Sequence, residues 1–277
     1  MPLITDRPGA TIADKQPAMG ALRNLIGTEA KKLFQNPARW REALRPRRWR
    51  QFLHVAVFYL RTGNRWQAEP SDGSFERRVY PSYQDYLRRQ QGKLKYLDLS
   101  RYEAEYRRLL SERLAGVDGL KEGAVVLCLG ARLGAEVRAF HDRGCFAVGL
   151  DLNPGGQNRY VLHGDFHELQ FPRESADVIF SNSLDHVFAV DRFIAEIRRV
   201  LKSGGLLILE TMKGRAEGVS PDPHASFWWN SVDDVAALFI RHGFKALQRT
   251  EFDMPWPGQL LCFAKLEKVG AKALKDG

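Results

Sequence analysis

Cysteine is scarce in this chain. Three occur in 277 residues, Cys128, Cys145 and Cys262, each inside an apolar segment. No CxxC pair and no HExxH run is present. The first scarcity argues against a disulfide framework and for buried, reduced thiols. The second argues against a dedicated metal site. Long hydrophobic runs are also missing. The longest near the N-terminus is "FLHVAVFYL", residues 52–60, well short of the roughly 20 residues a spanning helix requires. Residues 1–30 lack the apolar core and small-residue cleavage site of a secretory signal, so a cytoplasmic location is expected. There is no internal repeat and no low-complexity tract. Acidic residues are in deficit, and only in the first part of the chain. Residues 1–115 carry a net charge of +11 and residues 116–277 one of −2, within a total of +9. That asymmetry points to an acidic partner, whether nucleic acid, anionic lipid or an anionic substrate. A merely solvated Arg-rich surface is the competing reading.

Hydrophobic residues make up 44% of the chain and aromatics 11%, enough for a real core. The texture divides the chain into a basic helical N-terminal extension, residues 1–115, and an α/β unit, residues 116–277. In the extension, residues 1–17 read as a tail and 18–61 as helical, with Pro46 as a break. Residues 62–82, rich in Gly, Pro, Ser and charge, read as a loop. "SYQDYLRRQQGKL" and "SRYEAEYRRLLSERLAG" read as helices capped by Ser82 and Ser100. Residues 37–61 combine Arg with Trp40, Trp49 and an apolar run. That composition suits a helix lying on an anionic membrane surface, and also one packed on the domain.

After Gly119, apolar segments alternate with helical ones. "AVVLCLG", "CFAVGLDL", "RYVLHGD", "ADVIFSN" and "LLILETM" read as strands. Residues 133–142, "AVDRFIAEIRRVLKSGG" closed by Gly204, and "SVDDVAALFIRHGF" read as helices. "KALQRTEF" and "QLLCFAKLE" close the chain as an antiparallel pair. Alternation of this kind predicts a mostly parallel sheet covered on both faces. Ligands of such sheets bind beyond the carboxyl ends of the strands, and those ends are polar here. The first carries Gly130 and Gly134, which permit a tight turn and close backbone approach. The second ends at Asp151, 21 residues after Gly130, near the ~20 expected of an acid that grips ribose hydroxyls. The third ends in Asp165 and Phe166, and the fourth in "SNSLDH".

On "VVLCLGARLGAEV", "AVGLDLNP", "HGDFHELQFPRESADVIFSNSLDHV" and "FIAEIRRVLKSGGLLILE", residues 124–211 resemble a class I S-adenosylmethionine-dependent methyltransferase of the type 11 kind. The resemblance implies a Rossmann-like seven-stranded, mostly parallel sheet with an antiparallel last strand. It implies S-adenosyl-L-methionine as cofactor and methyl transfer to a small-molecule, glycan or lipid acceptor. It places Gly130 and Gly134 beside the methionyl part of the cofactor and Asp151 on the ribose hydroxyls. Leu152 falls against the adenine, Asp165 on its amino group, Phe166 beside the ring, and Ser181 and Asn182 along the pocket. The chain departs from the family pattern at Cys128, where an acid is common, and at Arg132, where a third glycine is common. Arg132 is expected to point outward from an ordinary backbone.

Asp185 and His186 follow the fourth strand, where a base would serve a hydroxyl acceptor; a helix cap and a packed histidine compete with that role. Trp228 and Trp229 read either as a stacking wall for the acceptor or as core. Tyr80, Tyr83 and Tyr86 read either as part of a lid or as helix-packing aromatics. Two further functional readings stand beside the first. One is an RNA methyltransferase gripping nucleic acid through the basic extension, although no NPPY-type tetrapeptide follows the fourth strand. The other is a cofactor-binding protein without turnover.

Overall fold

The computed structural model describes Leu53 and residues 65–69, 73–92 and 99–267. The tail over 1–17, most of the helical reading over 18–61 and the membrane-facing reading of 37–61 lie outside them.

Seven strands form the main sheet. In chain order they are β3 (Val125–Leu129), β4 (Phe146–Asp151), β5 (Val161–His163), β6 (Ala176–Ser181), β7 (Leu201–Met212), β9 (Phe244–Phe252) and β10 (Gly258–Lys265). Their spatial order is β5-β4-β3-β6-β7-β10-β9. Every pair from β5 to β7 is parallel. β10 runs antiparallel to both β7 and β9. The sheet is therefore Rossmann-like, with seven strands and an antiparallel last strand. Its order reverses between β3 and β6, which sets a crevice above their carboxyl ends.

Both faces of the sheet are buried, which explains the near-continuous apolar strands. Along β3, Leu127 and Leu129 enter one core with Phe193, Ile197, Val235 and Phe239. Val126 and Cys128 enter the other with Tyr106, Leu110, Val137 and Phe140. The helices that supply these partners are α2 (Ser100–Leu114), α3 (Ala135–His141), α4 (Val190–Val200) and α5 (Val232–Arg241). Tyr106, Leu110 and Leu114 of α2 thus share the core of the sheet. The three cysteines are all buried and unpaired, and burial pushes the Cys128 thiol well above its usual pKa. Among the described residues no helix is long and apolar enough to cross a membrane.

Several local expectations need correction. Residues 62–82 are not only loop: they hold β1 (Trp66–Ala68) and β2 (Phe75–Arg78). With β8 (Phe227–Trp229) these make a three-stranded antiparallel sheet in the order β1-β2-β8. Trp228 and Trp229 belong to that sheet; each is almost fully buried, and their rings stack at 4.9 Å. Core packing, not an open acceptor wall, accounts for them. Helix α1 (Tyr83–Gly92) begins at Ser82, whose Oγ accepts from the Asp85 amide at 3.2 Å. Ser100 is already helical, and the cap position of α2 is Leu99. Helix α4 stops at Val200 rather than at Gly204. Leu201 pairs with Ala176 in the sheet, and the segment through Gly204, at φ 71°, bulges before Leu206 resumes pairing at Val178.

Candidate active site

The crevice is built from what each strand leaves at its carboxyl end. After β3 the chain turns at Gly130, with φ 73°. A Cβ there would stand 2.4 Å from Ser183 Oγ and 2.6 Å from Ser183 Cβ. Only glycine admits both the angle and the contact. The Gly130 and Ala131 amides donate to the Leu150 carbonyl at 2.8 and 3.1 Å, which fastens the turn to β4. Gly134, with φ 89°, precedes α3 and lies under Tyr160 and Val161.

Arg132 departs from expectation. Its φ of 42° is left-handed, uncommon outside glycine, asparagine and aspartate. Its side chain does not simply turn to solvent. The guanidinium lies 5.2 Å from the centroid of the Tyr102 ring and donates to the Tyr102 hydroxyl at 3.4 Å. What holds this backbone is Asp151: Oδ2 accepts from the Arg132 amide at 3.0 Å, while Oδ1 accepts from the Asn153 amide at 2.7 Å. The acid at the end of β4 therefore joins the glycine turn to the β4–β5 connection. Leu152, next along, is partly exposed.

Asp165 follows β5. The Tyr83 hydroxyl of α1 donates to its Oδ2. Its Oδ1 accepts from the His167 amide at 2.9 Å and lies 2.8 Å from His167 Nδ1. The His167 tautomer follows from its other nitrogen. Nε2 faces the backbone amides of Phe188 and Ala189 at 3.1 and 3.2 Å. Both are donors, so Nε2 carries the lone pair, and Nδ1 carries the hydrogen and donates to Asp165. Burial raises the Asp165 carboxyl, but the bonds from His167 and Tyr83 outweigh it and leave the pKa below the ordinary value. His167, buried at 1% exposure, was missed in the sequence. Its only signal there was a histidine two residues beyond the strand-end acid. Phe166 is buried and packs on Phe193 at 5.2 Å, near Gly130, as part of the core.

At the end of β6, Ser181 is fully buried. Its hydroxyl donates to the Leu129 carbonyl at 3.1 Å and accepts from the Ser183 amide at 3.2 Å. It ties β6 to β3 and does not open onto the crevice. Asn182 does reach the crevice. Its Nδ2 donates to the Tyr106 hydroxyl at 2.7 Å and to Glu136 Oε1 at 3.0 Å. Asp185 and His186 lie in a single 3₁₀ turn, Leu184–His186, so Asp185 does not cap α4. The Asp185 carbonyl accepts from Ser226 at 2.6 Å, and His186 Nδ1 stands 3.4 Å from Asp185 Oδ2. Both sit just past Ser183, whose Oγ donates to the Gly130 carbonyl at 3.3 Å.

Two helices cover this edge. Tyr83 and Tyr86 of α1 pack on Phe188, with ring centroids 5.1 Å away in each case, and on His167. Tyr80 joins them edge-on to Tyr86 at 5.6 Å. On α2, Tyr102 and Tyr106 stack at 5.5 Å and continue onto Trp256. The tyrosines of α1 are packing aromatics, and Tyr83 also closes over Asp165.

A parallel sheet with a glycine turn after one strand and an acid after its neighbour, 21 residues on, has the arrangement of a nucleoside-cofactor site. Comparison with known proteins agrees. A methyltransferase-domain family profile matches residues 127–209. The chain is 32% identical over 203 residues to a probable S-adenosylmethionine-dependent methyltransferase of Mycolicibacterium smegmatis, covering 58% of this chain and 75% of that protein. It is 28% identical over 197 residues to malonyl-[acyl-carrier protein] O-methyltransferase of Serratia marcescens, covering 63% of this chain and 74% of that one. The crystal structure of the PH0226 protein from Pyrococcus horikoshii OT3 superposes with a TM-score of 0.50 at 19% identity, over 62% of this chain and 95% of the other. The chain belongs to the S-adenosylmethionine-dependent methyltransferases. It is an enzyme of that class, and S-adenosylmethionine is its cofactor.

Proposed function

We propose that the chain transfers a methyl group from S-adenosylmethionine to an oxygen of a small-molecule, glycan or lipid acceptor, in the crevice between β3 and β6. The observation that carries the site is the Asp151 carboxylate, fixed by two backbone amides at the end of β4 and joined to the glycine turn through Arg132. The residues present fit the cofactor. Gly130 leaves backbone open to close approach, Asp151 offers its carboxylate to the ribose hydroxyls, and Leu152 and Phe166 border the nucleoside. Asp165 accepts from the adenine amino group in place of the Tyr83 hydroxyl. Gly134 and Asn182 flank the methionyl part, with Ser181 holding the strand ends behind it. When bound, the cofactor supplies an electrophilic methyl group on a positively charged sulfur. The protein's part is to hold acceptor and methyl in line, which accounts for much of the rate in such transfers. His186, partly exposed beside Asp185, is placed to accept a proton from a hydroxyl acceptor.

An oxygen acceptor is favoured by the relative named as an O-methyltransferase, which acts on malonyl-[acyl-carrier protein]. The basic residues 1–115 favour an anionic acceptor or an acceptor displayed on an anionic surface, and the buried thiols suit a cytoplasmic setting. The test supplies the protein with S-adenosylmethionine carrying a labelled methyl group and a cell extract separated into lipids, soluble metabolites and RNA. Label should enter the lipid or metabolite fraction as a base-labile or ether-linked methyl group, and anionic vesicles should retain the full chain at low salt. Label in RNA would replace this reading with the nucleic-acid one. Binding without transfer to any fraction would replace it with that of a non-catalytic protein.

A further inference from the structure

Glu136 is the group in the crevice that the fold leaves unexplained. It belongs to α3, a seven-residue helix whose other buried residues are Ala135, Val137, Ala139 and Phe140. Glu136 itself is 1% exposed. One oxygen, Oε1, accepts from Asn182 at 3.0 Å. The other, Oε2, is buried and has no hydrogen-bond partner among the described residues. An ionised carboxylate with an unsatisfied oxygen at full burial is costly unless a charge or donor arrives.

Among the described residues one cation faces the Glu136 carboxylate, and that cation gives Oε2 no hydrogen bond. Arg132, from the turn after β3, attracts the carboxylate, but its guanidinium is engaged over Tyr102. Glu103 of α2 repels it, with its own Oε2 committed to the Ala135 amide at 3.0 Å and to Arg138 at 3.2 Å. Tyr102 and Tyr106 of α2, Cys128 of β3 and Asn182 after β6 are the other groups facing it, and none carries positive charge. Burial, against this incomplete compensation, drives the Glu136 carboxyl up to about 7.

The position of this carboxylate identifies its partner. It lies between the glycine turn and Asn182, the stretch assigned above to the methionyl part of the cofactor. That part ends in a free α-amino group, protonated at neutral pH. We infer that Glu136 is the acceptor for the ammonium group of S-adenosylmethionine, its buried Oε2 taking the hydrogen bond that no described residue provides. The inference rests on the cofactor reading of the crevice given above. It gives the cofactor's amino end a charged partner from α3, on a chain whose β3 offers only Cys128 there.

The test uses three ligands that differ at this end. S-adenosylmethionine and S-adenosylhomocysteine both carry the ammonium, and only the first carries the charged sulfur. 5′-Methylthioadenosine carries neither. Glu136→Gln keeps the shape and the Asn182 contact. Titration calorimetry at pH 8 should show at least a tenfold loss for the first two ligands and less than a twofold change for the third. Wild-type affinity for S-adenosylmethionine should fall between pH 8 and pH 6 as the carboxylate takes up a proton, and the variant should be flat over that range. Equal weakening of all three ligands would overturn the inference by showing that Glu136 only shapes the crevice. A loss confined to S-adenosylmethionine would move the contact to the sulfur. Unchanged affinities, or a variant that fails to fold, would also overturn it. A wild type that binds none of the three would instead remove the cofactor reading itself, and the inference with it.

Discussion

Arg113→Ala should be among the most destabilising single changes in the protein, by about 3–5 kcal/mol, because it strands a buried carboxylate. Glu210 lies on β7 with its side chain at 0% exposure. Its Oε1 accepts from Arg113 Nε at 2.5 Å and its Oε2 from the Tyr106 hydroxyl at 2.5 Å. Tyr106 in turn accepts from Asn182 at 2.7 Å, so the pair anchors α2 over the ends of β6 and β7. Arg113 also lies 4.3 Å from the Phe252 ring centroid and donates to the Met254 carbonyl at 3.0 Å. The melting point should drop on the order of 10 °C. The pH dependence has a fixed sign. Burial raises the Glu210 carboxyl above its ordinary pKa, and Arg113 opposes that rise. Without Arg113 the folded form holds its proton to still higher pH, while the unfolded chain releases it near the ordinary value. Stability then falls as pH rises, so the deficit should be larger at pH 8 than at pH 5. The double variant Arg113→Met, Glu210→Gln should recover most of the loss, since no charge is left buried. Thermal melts of the three variants at both pH values check this. A single variant that melts like the wild type would show that the pair does not hold α2 in place.

Asp151→Ala should weaken S-adenosylmethionine by roughly 10- to 100-fold, about 1.4–2.7 kcal/mol, through two losses. A charged acceptor for the ribose hydroxyls disappears, and hydrogen bonds to charged groups are the stronger kind. The Arg132 and Asn153 amides also lose the carboxylate that fixes them, so the glycine turn, already left-handed at Arg132, is no longer held to β4. Asp151→Asn keeps the shape and one acceptor oxygen and should fall between the alanine variant and the wild type. Calorimetry on variants with wild-type melting profiles separates affinity from folding. A folded alanine variant with unchanged affinity would remove Asp151 from the site.

The main sheet was legible in the sequence because its strands are buried on both faces. "VVLCL", "VIF" and "LLIL" are unbroken apolar runs, and Gly130, Asp151 and Asp165 mark the ends of β3, β4 and β5. The small sheet was not. "WQA" and "FERR" have neither apolar runs nor alternation, and they become strands only because β8 offers a partner edge. That pairing is tertiary and leaves no local trace. For the same reason α4 ends at Val200: the sheet takes Leu201 from a pattern that reads as a helix closed by Gly204. In the crevice, residue types at strand ends were readable, whereas their directions were not. Ser181 turns inward to Leu129, and Arg132 turns over Tyr102. His167 and Glu136 became visible only once the fold set them against Asp165 and Asn182.

On the proposed reading, S-adenosylmethionine sits across the ends of β3, β4 and β5. Amide hydrogen exchange of the full chain, with and without S-adenosylhomocysteine, tests it without altering a residue. Peptides spanning 130–136, 151–153 and 165–167 should slow their exchange on ligand addition, with 181–183 following and the β9–β10 edge unchanged. Protection confined to any other part of the sheet, or none at a ligand concentration that saturates calorimetric binding, would contradict the account.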